Sequence, residues 1–419
     1  MFSFLIVAIK IIILLGFLVF IHELGHYTVA KLCKVKVNEF AIGFGPVLFS
    51  KQGKETKYQL RLIPLGGFVS MEGEDQRSDQ ERAFNKASIG KRIAIVAAGG
   101  LVNIFFAIIL YFSLQSFVAD NVTTKISSVT PGYAAESVGI LPGDEILKIN
   151  GKKVRRQVDI NKIVSESNGN ELTVLIKRND EKIEYKINPT TIQYKATGLY
   201  LNSETDTTIE GFDSSVNIES QGFKVGDKIV YINDINVEDD AAKVSEVLQS
   251  DNQSEELRFV VRRNNEDITI NVTPIIETKY LLGVVLEKAE KKLVTNVYYA
   301  FFNTEDFAFS IIDNLKMLLS GKVGTRDLMG PVGISTVVAR TSGIQEFIYI
   351  MALISLSLGV TNLLPFPPLD GGKIVLLIVE AIRKKPLQEK YEVGIQMLGF
   401  ALMIMLSLYV TYNDILRII

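Results

Sequence analysis

Long apolar runs alternate with charged stretches along this chain, and four of the runs have the length of a bilayer crossing. A membrane core takes about 20 consecutive, mostly apolar helical residues. Residues 1–30, 93–118, 344–372 and 394–417 meet that length, the third ending in a polar motif. Between the second and third runs, residues 120–287 change period. Short alternating segments bounded by Gly, Asp and Asn read there as strands and turns. The stretch 139–151 recurs as 222–234, with the Gly, Gly-Asp and Ile-Asn positions 83 residues apart. That repeat predicts two small tandem domains, 120–195 and 196–287, with later strands at 171–177, 182–187, 257–262 and 268–272.

Residues 31–92 hold shorter apolar pieces, 40–46 and 62–69, punctuated by Gly and too short to span. They predict strands. These form either a small soluble β unit or a re-entrant β element that shields a site in the membrane, the latter permissible only where protein covers its backbone. The linker 290–343 contains an amphipathic, aromatic-rich stretch, 296–319, expected as a helix lying on the outer membrane surface, followed by the breaker Gly330-Pro331-Val332-Gly333. Residues 373–393 read as a cytoplasmic helix end and loop. The expected fold is a polytopic α-helical membrane protein of about four spans, with a membrane-associated β element and two inserted α+β domains.

Composition sharpens this picture. The chain is 47% hydrophobic, high for a soluble protein, and the formal net charge of −2 sets nucleic acid aside as a partner. A single cysteine, Cys33, excludes an intramolecular disulfide framework and a cysteine-based zinc cage. Residues 31–92 carry twelve Lys/Arg against seven Asp/Glu, which makes that loop cytoplasmic and puts both termini and the insert outside. Arg383-Lys384-Lys385 marks a second cytoplasmic turn. The first run reads as a retained span rather than a signal peptide, because no small-residue cleavage site follows its apolar core. Lys10 interrupts that span; snorkelling or a carboxylate partner would accommodate it, and the sequence does not fix which.

The candidate chemistry sits in the first span. The chain has two histidines, His22 and His26, both in Ile21-His22-Glu23-Leu24-Gly25-His26. At i and i+4 they share one helix face, able to grip one Zn²⁺, with Glu23 placed to take a proton from an activated water. A catalytic zinc site usually has three protein ligands. Asp370 is the best third by type and depth, since it follows a proline-broken helix end at membrane level. Asn362, at that break, is a candidate donor to the attacked oxygen or to the substrate backbone. Pro365 and Pro367 keep the segment open, which suits a substrate that must unwind. Besides an intramembrane endopeptidase, two other classes fit the residues. One is a membrane-anchored peptide receptor or chaperone with a vestigial metal motif; the other is a metal transporter using the same side chains in transit.

The two copies of the repeat resemble PDZ domains of the bacterial protease type, the first from Val129-Thr130-Pro131-Gly132 through Gly151. Together with His22–His26, Gly43-Phe44-Gly45-Pro46, Gly66 through Glu74, Gly330-Pro331 and Asn362 through Gly372, they make the chain resemble the site-2 metalloprotease family, and within it the bacterial regulator-of-sigma-E proteases. The pattern N-x-x-P-x-P-x-L-D-G is matched by Asn362, Pro365, Pro367, Leu369, Asp370 and Gly371. The resemblance implies zinc held by His22, His26 and Asp370, with Glu23 catalytic. It implies cleavage of single-span membrane proteins in the lipid bilayer, typically anti-sigma factors already trimmed outside, with signal-peptide remnants as a further substrate class. It also implies a PDZ pair acting as a size filter or docking surface, and a Gram-negative inner-membrane location with that pair periplasmic.

Overall fold

The structure, a computed structural model, describes residues 2–74, 76–118, 121–203, 206–212, 221–250, 256–321, 330–341 and 343–418. The chain forms two compact units, residues 121–289 and the remainder.

Among the described residues of the larger unit, four helices are long and apolar enough to cross a membrane: Ile6–Leu32, Ile89–Phe117, Ile344–Asn362 and Glu389–Leu416. The first three pack through small residues. A Cβ at Gly25 would stand 2.6 Å from the Ala98 carbonyl, and one at Gly359 would stand 2.7 Å from the Gly100 carbonyl. Glycine lets the backbones meet where dispersion, not hydrophobic exclusion, holds helices together. Ser355 adds a hydrogen bond from its Oγ to the Asn103 carbonyl at 2.8 Å.

The strands Val37–Gln52 and Lys57–Met71 pair twice. Phe40 lies opposite both Tyr58 and Val69, and Ile42 opposite both Leu60 and Gly67. The hairpin therefore doubles into a four-stranded sheet ordered 47–52, 57–61, 39–42, 67–71, whose outer pairs run antiparallel and whose central pair, 57–60 with 39–42, runs in parallel register. Gly43 makes the bend possible: its φ is +85°, and a Cβ there would come within 2.6 Å of the Ile63 carbonyl. Phe44, Val47, Leu48, Phe49, Leu62 and Ile63 remain exposed on this sheet.

The helix Leu293–Leu319 covers the expected amphipathic stretch and packs on the spans. Its Asn296 Nδ2 donates to Ser116 Oγ of the second span at 3.2 Å. Ala300 is buried in one cluster with Ala107, Leu110, Leu114 and Leu356. Its apolar stripe thus packs on helices, while Val297, Phe301 and Phe309 stay exposed. The next helix, Pro331–Arg340, resolves the puzzle of Lys10. Lys10 Nζ donates to the Thr341 carbonyl (2.9 Å) and to its Oγ1 (3.1 Å), capping the helix's negative end. At the other end, the N–H groups of Gly330 and Gly333 donate to Asp414 of the fourth span at 3.3 and 2.8 Å. Asp414 is fully enclosed, 2% exposed, and a Cβ at Gly330 would collide with it.

In the smaller unit, the repeat seen in sequence is a repeat of hydrogen bonds. Leu141 N donates to Asp144 and Lys224 N to Asp227, each at 2.8 Å. Arg178 and Arg263 then clamp those carboxylates through two bonds apiece, of 2.7–2.8 and 2.7 Å. The later strands fall at Leu172–Arg178, Glu181–Ile187, Leu257–Arg263 and Glu266–Val272, within two residues of expectation. One boundary differs. Strand Val284–Lys288 lies in the expected second domain but pairs antiparallel with Val122–Val129 of the first. The first sheet runs Val284–Lys288, Val122–Val129, Glu145–Ile149, Leu172–Arg178, Glu181–Ile187, and Leu282 is buried in its core. The second copy is therefore inserted into the first rather than following it. The outgoing strand Thr190–Ala196 and the returning strand Ile275–Leu281 pair with each other.

Burial alone would raise the Asp144 carboxyl, but Arg178 and the Leu141 N–H hold it below the usual carboxylate range. A depressed folded-state value stabilises the fold above the unfolded value of about 3.9 and loses that contribution as pH falls towards the folded value. Asp144→Asn should accordingly cost about 2–4 kcal/mol at pH 7, because it leaves a guanidinium without its ion partner. Urea unfolding should show the difference between variant and parent shrinking as pH drops below about 3.9; a pH-independent gap would contradict the ion-pair origin.

Candidate metal centre

The first span carries His22, Glu23 and His26 on adjacent turns, and Asp370 reaches them from the other end of the chain. Its approach is set by the connection after Asn362. Here Phe366 N donates to the Leu364 carbonyl (2.7 Å) and Leu369 N to the Phe366 carbonyl (3.0 Å), which folds the segment back on itself. Cβ atoms at Gly371 and Gly372 would stand 2.2 Å from the Leu364 carbonyl and 2.7 Å from Pro367 N. Only glycine at both positions lets the new helix, Asp370–Arg383, start against that turn. Asp370 thus lies in a helix's first turn rather than at the end of the third span.

The three donor atoms converge. His22 Nε2 and His26 Nε2 are 3.1 Å apart, and each lies 3.3 Å from Asp370 Oδ2. The edge of a tetrahedron with metal–ligand bonds of about 2.0–2.1 Å is about 3.3–3.4 Å, so the donor set fits a zinc-sized ion. His26 Nδ1 lies 2.9 Å from the Ile95 carbonyl. Its proton must be there, since a carbonyl only accepts, and the Nε2 lone pair is left for an ion. Gly99 of the second span clears the space, because a Cβ there would come within 2.3 Å of His26 Nε2 and 2.7 Å of His22 Cε1. His22 is buried, and its Nδ1 has no hydrogen-bond partner among the described residues.

Glu23 lines the same cavity, of about 190 Å³, with Phe68, Val69 and Met71 from the outer edge of the β sheet. Gly67 brings that edge close: a Cβ on it would lie 3.2 Å from Glu23 Cγ. Of the residues expected from sequence, His22, Glu23, His26 and Asp370 meet in this cavity. Asn362, Pro365 and Pro367 do not line it; they end the third span and shape the turn that delivers Asp370. Sequence reasoning missed Glu74, Val96 and Lys373, which do line it. For Lys373 a signal existed, since it stands three residues beyond Asp370 on one helix face.

Comparison with known proteins agrees with this architecture. A regulator of sigma E protease of Haemophilus influenzae is 29% identical, with 97% of this chain and 98% of that protein aligned. The zinc metalloprotease RasP of Geobacillus kaustophilus is 29% identical, with 97% of each chain aligned. The model of peptidase family M50 matches residues 10–406, from the first span through the Asp370 helix and into the fourth, and the chain belongs to that family.

Proposed function

We propose that this integral membrane peptidase is a zinc endopeptidase that cuts single-span proteins within or beside their apolar segment. The observation that carries the reading is the His22, His26 and Asp370 triangle inside a bundle of membrane-length helices. His22, His26 and Asp370 would hold the zinc ion, which would supply Lewis acidity towards water and the peptide carbonyl. Glu23 takes the proton of the attacking water and returns it to the leaving amine. The His26–Ile95 hydrogen bond fixes one ligand's tautomer and ring orientation. The sheet edge 67–71 lies where an extended substrate strand has to pass, and extension exposes the carbonyl that a helix keeps hydrogen-bonded. Asn362 is a donor only for a substrate lying along the end of the third span.

The finer assignments follow from the same reading. The doubled hairpin, with its exposed apolar face, is a re-entrant element in the cytoplasmic half of the membrane. The two copies in the insert are PDZ domains on the extracytoplasmic side, selecting substrates that another protease has shortened. The membrane is a bacterial inner membrane, and the substrates are of the anti-sigma-factor class. The experiment is cleavage of a single-span substrate in liposomes, comparing a full-length form with one trimmed outside, and mapping the cut by mass spectrometry. The expected result is a chelator-sensitive cut inside or at the cytoplasmic edge of the apolar segment, faster in the trimmed form. Cleavage confined to soluble loops would overturn the reading.

A further inference from the structure

Peptide hydrolysis makes two charged ends. Water adds to the carbonyl carbon, the C–N bond breaks, and the two water protons finish on the nitrogen, leaving a carboxylate and an ammonium. In a cavity of about 190 Å³ walled by Phe68, Val69, Met71 and Val96, both ends need partners, because an unpaired ion costs several kcal/mol away from water. Zinc offers nothing to the ammonium, and of the carboxylates lining the cavity only Glu74 has no part in holding the metal or moving the proton.

Two charged side chains on the cavity wall have no part in the chemistry above. Lys373 Nζ donates to Glu74 Oε1 at 3.1 Å, and their side chains are 31% and 15% exposed. The same pair, with Val96, also borders a second cavity of about 430 Å³. That cavity is polar: Arg77, Glu389 and Glu392 line it, as does the ion pair of Arg92 and Glu380, joined by bonds of 2.6 and 3.1 Å. The Lys373–Glu74 bridge is thus a charged partition between the metal site and a polar chamber.

We propose that this bridge opens by partner exchange to receive the two ends that cleavage creates, Lys373 taking the new carboxylate and Glu74 the new ammonium. The inference rests on the peptidase reading. The exchange begins with one bridge and two new product ions at the catalytic groups and ends with two bridges, which frees the metal and Glu23 for the next substrate. The flexible four-carbon stem of Lys373 suits such a move. The fragments then leave through the polar chamber instead of returning through lipid.

The test uses synthetic apolar peptides as mimics of the two fragments, bound to the full-length, metal-depleted protein in detergent. One pair ends in a free carboxylate or a carboxamide; the other begins with a free or an acetylated amine. The parent should bind the carboxylate form about tenfold more tightly than the carboxamide, as expected for a charge-assisted hydrogen bond. Lys373→Met should reduce that preference to within about twofold, and Lys373→Arg should keep it. Glu74→Gln should erase the preference for the free amine alone. With zinc present, Lys373→Met should slow steady-state turnover while sparing the single-turnover rate, leaving a product burst. An undiminished carboxylate preference in Lys373→Met, or an equal fall in both rates, would overturn the proposal. If the parent cut no membrane substrate at all, the peptidase reading would fail instead, and the fragment-binding comparison would still judge the bridge.

Discussion

Glu23→Gln should all but abolish proteolysis while leaving the metal in place. Glutamine matches glutamate in shape, so it fits the space between the first span and Gly67, where a Cβ would already be only 3.2 Å from Glu23 Cγ. It cannot accept the proton of the attacking water. Loss of a general base costs about 10²–10⁴-fold in rate, and a larger fall is expected here because the same group also protonates the leaving amine. Zinc should stay bound, since His22, His26 and Asp370 are untouched. Turnover in liposomes and metal content by plasma mass spectrometry decide the matter together. A variant that keeps zinc and more than about a tenth of its activity would show that Glu23 is not the base.

Gly99→Ala should remove the metal, although alanine is the better helix former. In an ordinary helix the exchange stabilises by up to about 1 kcal/mol. In this helix the new methyl would stand 2.3 Å from His26 Nε2 and 2.7 Å from His22 Cε1, well inside contact distance, and both imidazoles belong to the ligand set. One must swing away, and the 3.1 Å gap between the two Nε2 atoms cannot survive. Affinity should drop by at least about 100-fold, the upper range for disturbing the support of a single ligand. Gly90, on the same helix with nothing within 4 Å, is the control. Alanine there should leave zinc and activity unchanged. Full zinc occupancy in Gly99→Ala would mean that the helices separate easily at this point.

The legible part of this protein was the part with rare chemistry. Two histidines in the whole chain, one turn apart in an apolar run, leave few readings, and Asp370 after a proline-broken helix end was distinctive enough to join them. The repeat was legible too, because Asp144 and Asp227 each need the same short turn. What escaped was set by contacts between distant segments. Gly99 matters because of where two helices cross. Glu74 reaches the cavity because a hairpin doubles back. Strand Val284–Lys288 looked like the end of the second copy, since local pattern cannot say which sheet a strand joins. Lys10 had no account until Thr341, 331 positions away, came into view.

The helix Pro331–Arg340 is completed largely from elsewhere in the chain: its first turn borrows an acid from residue 414, and the residue that ends it, Thr341, a base from residue 10. During synthesis one of these leaves the ribosome near the start and the other only with the end of the fourth span. Until then the amides of Gly330 and Gly333 are donors without an acceptor, a costly state inside a membrane. A chain cut short before residue 414 would lack the acceptor for both amides, and its Pro331–Arg340 helix would begin unsupported.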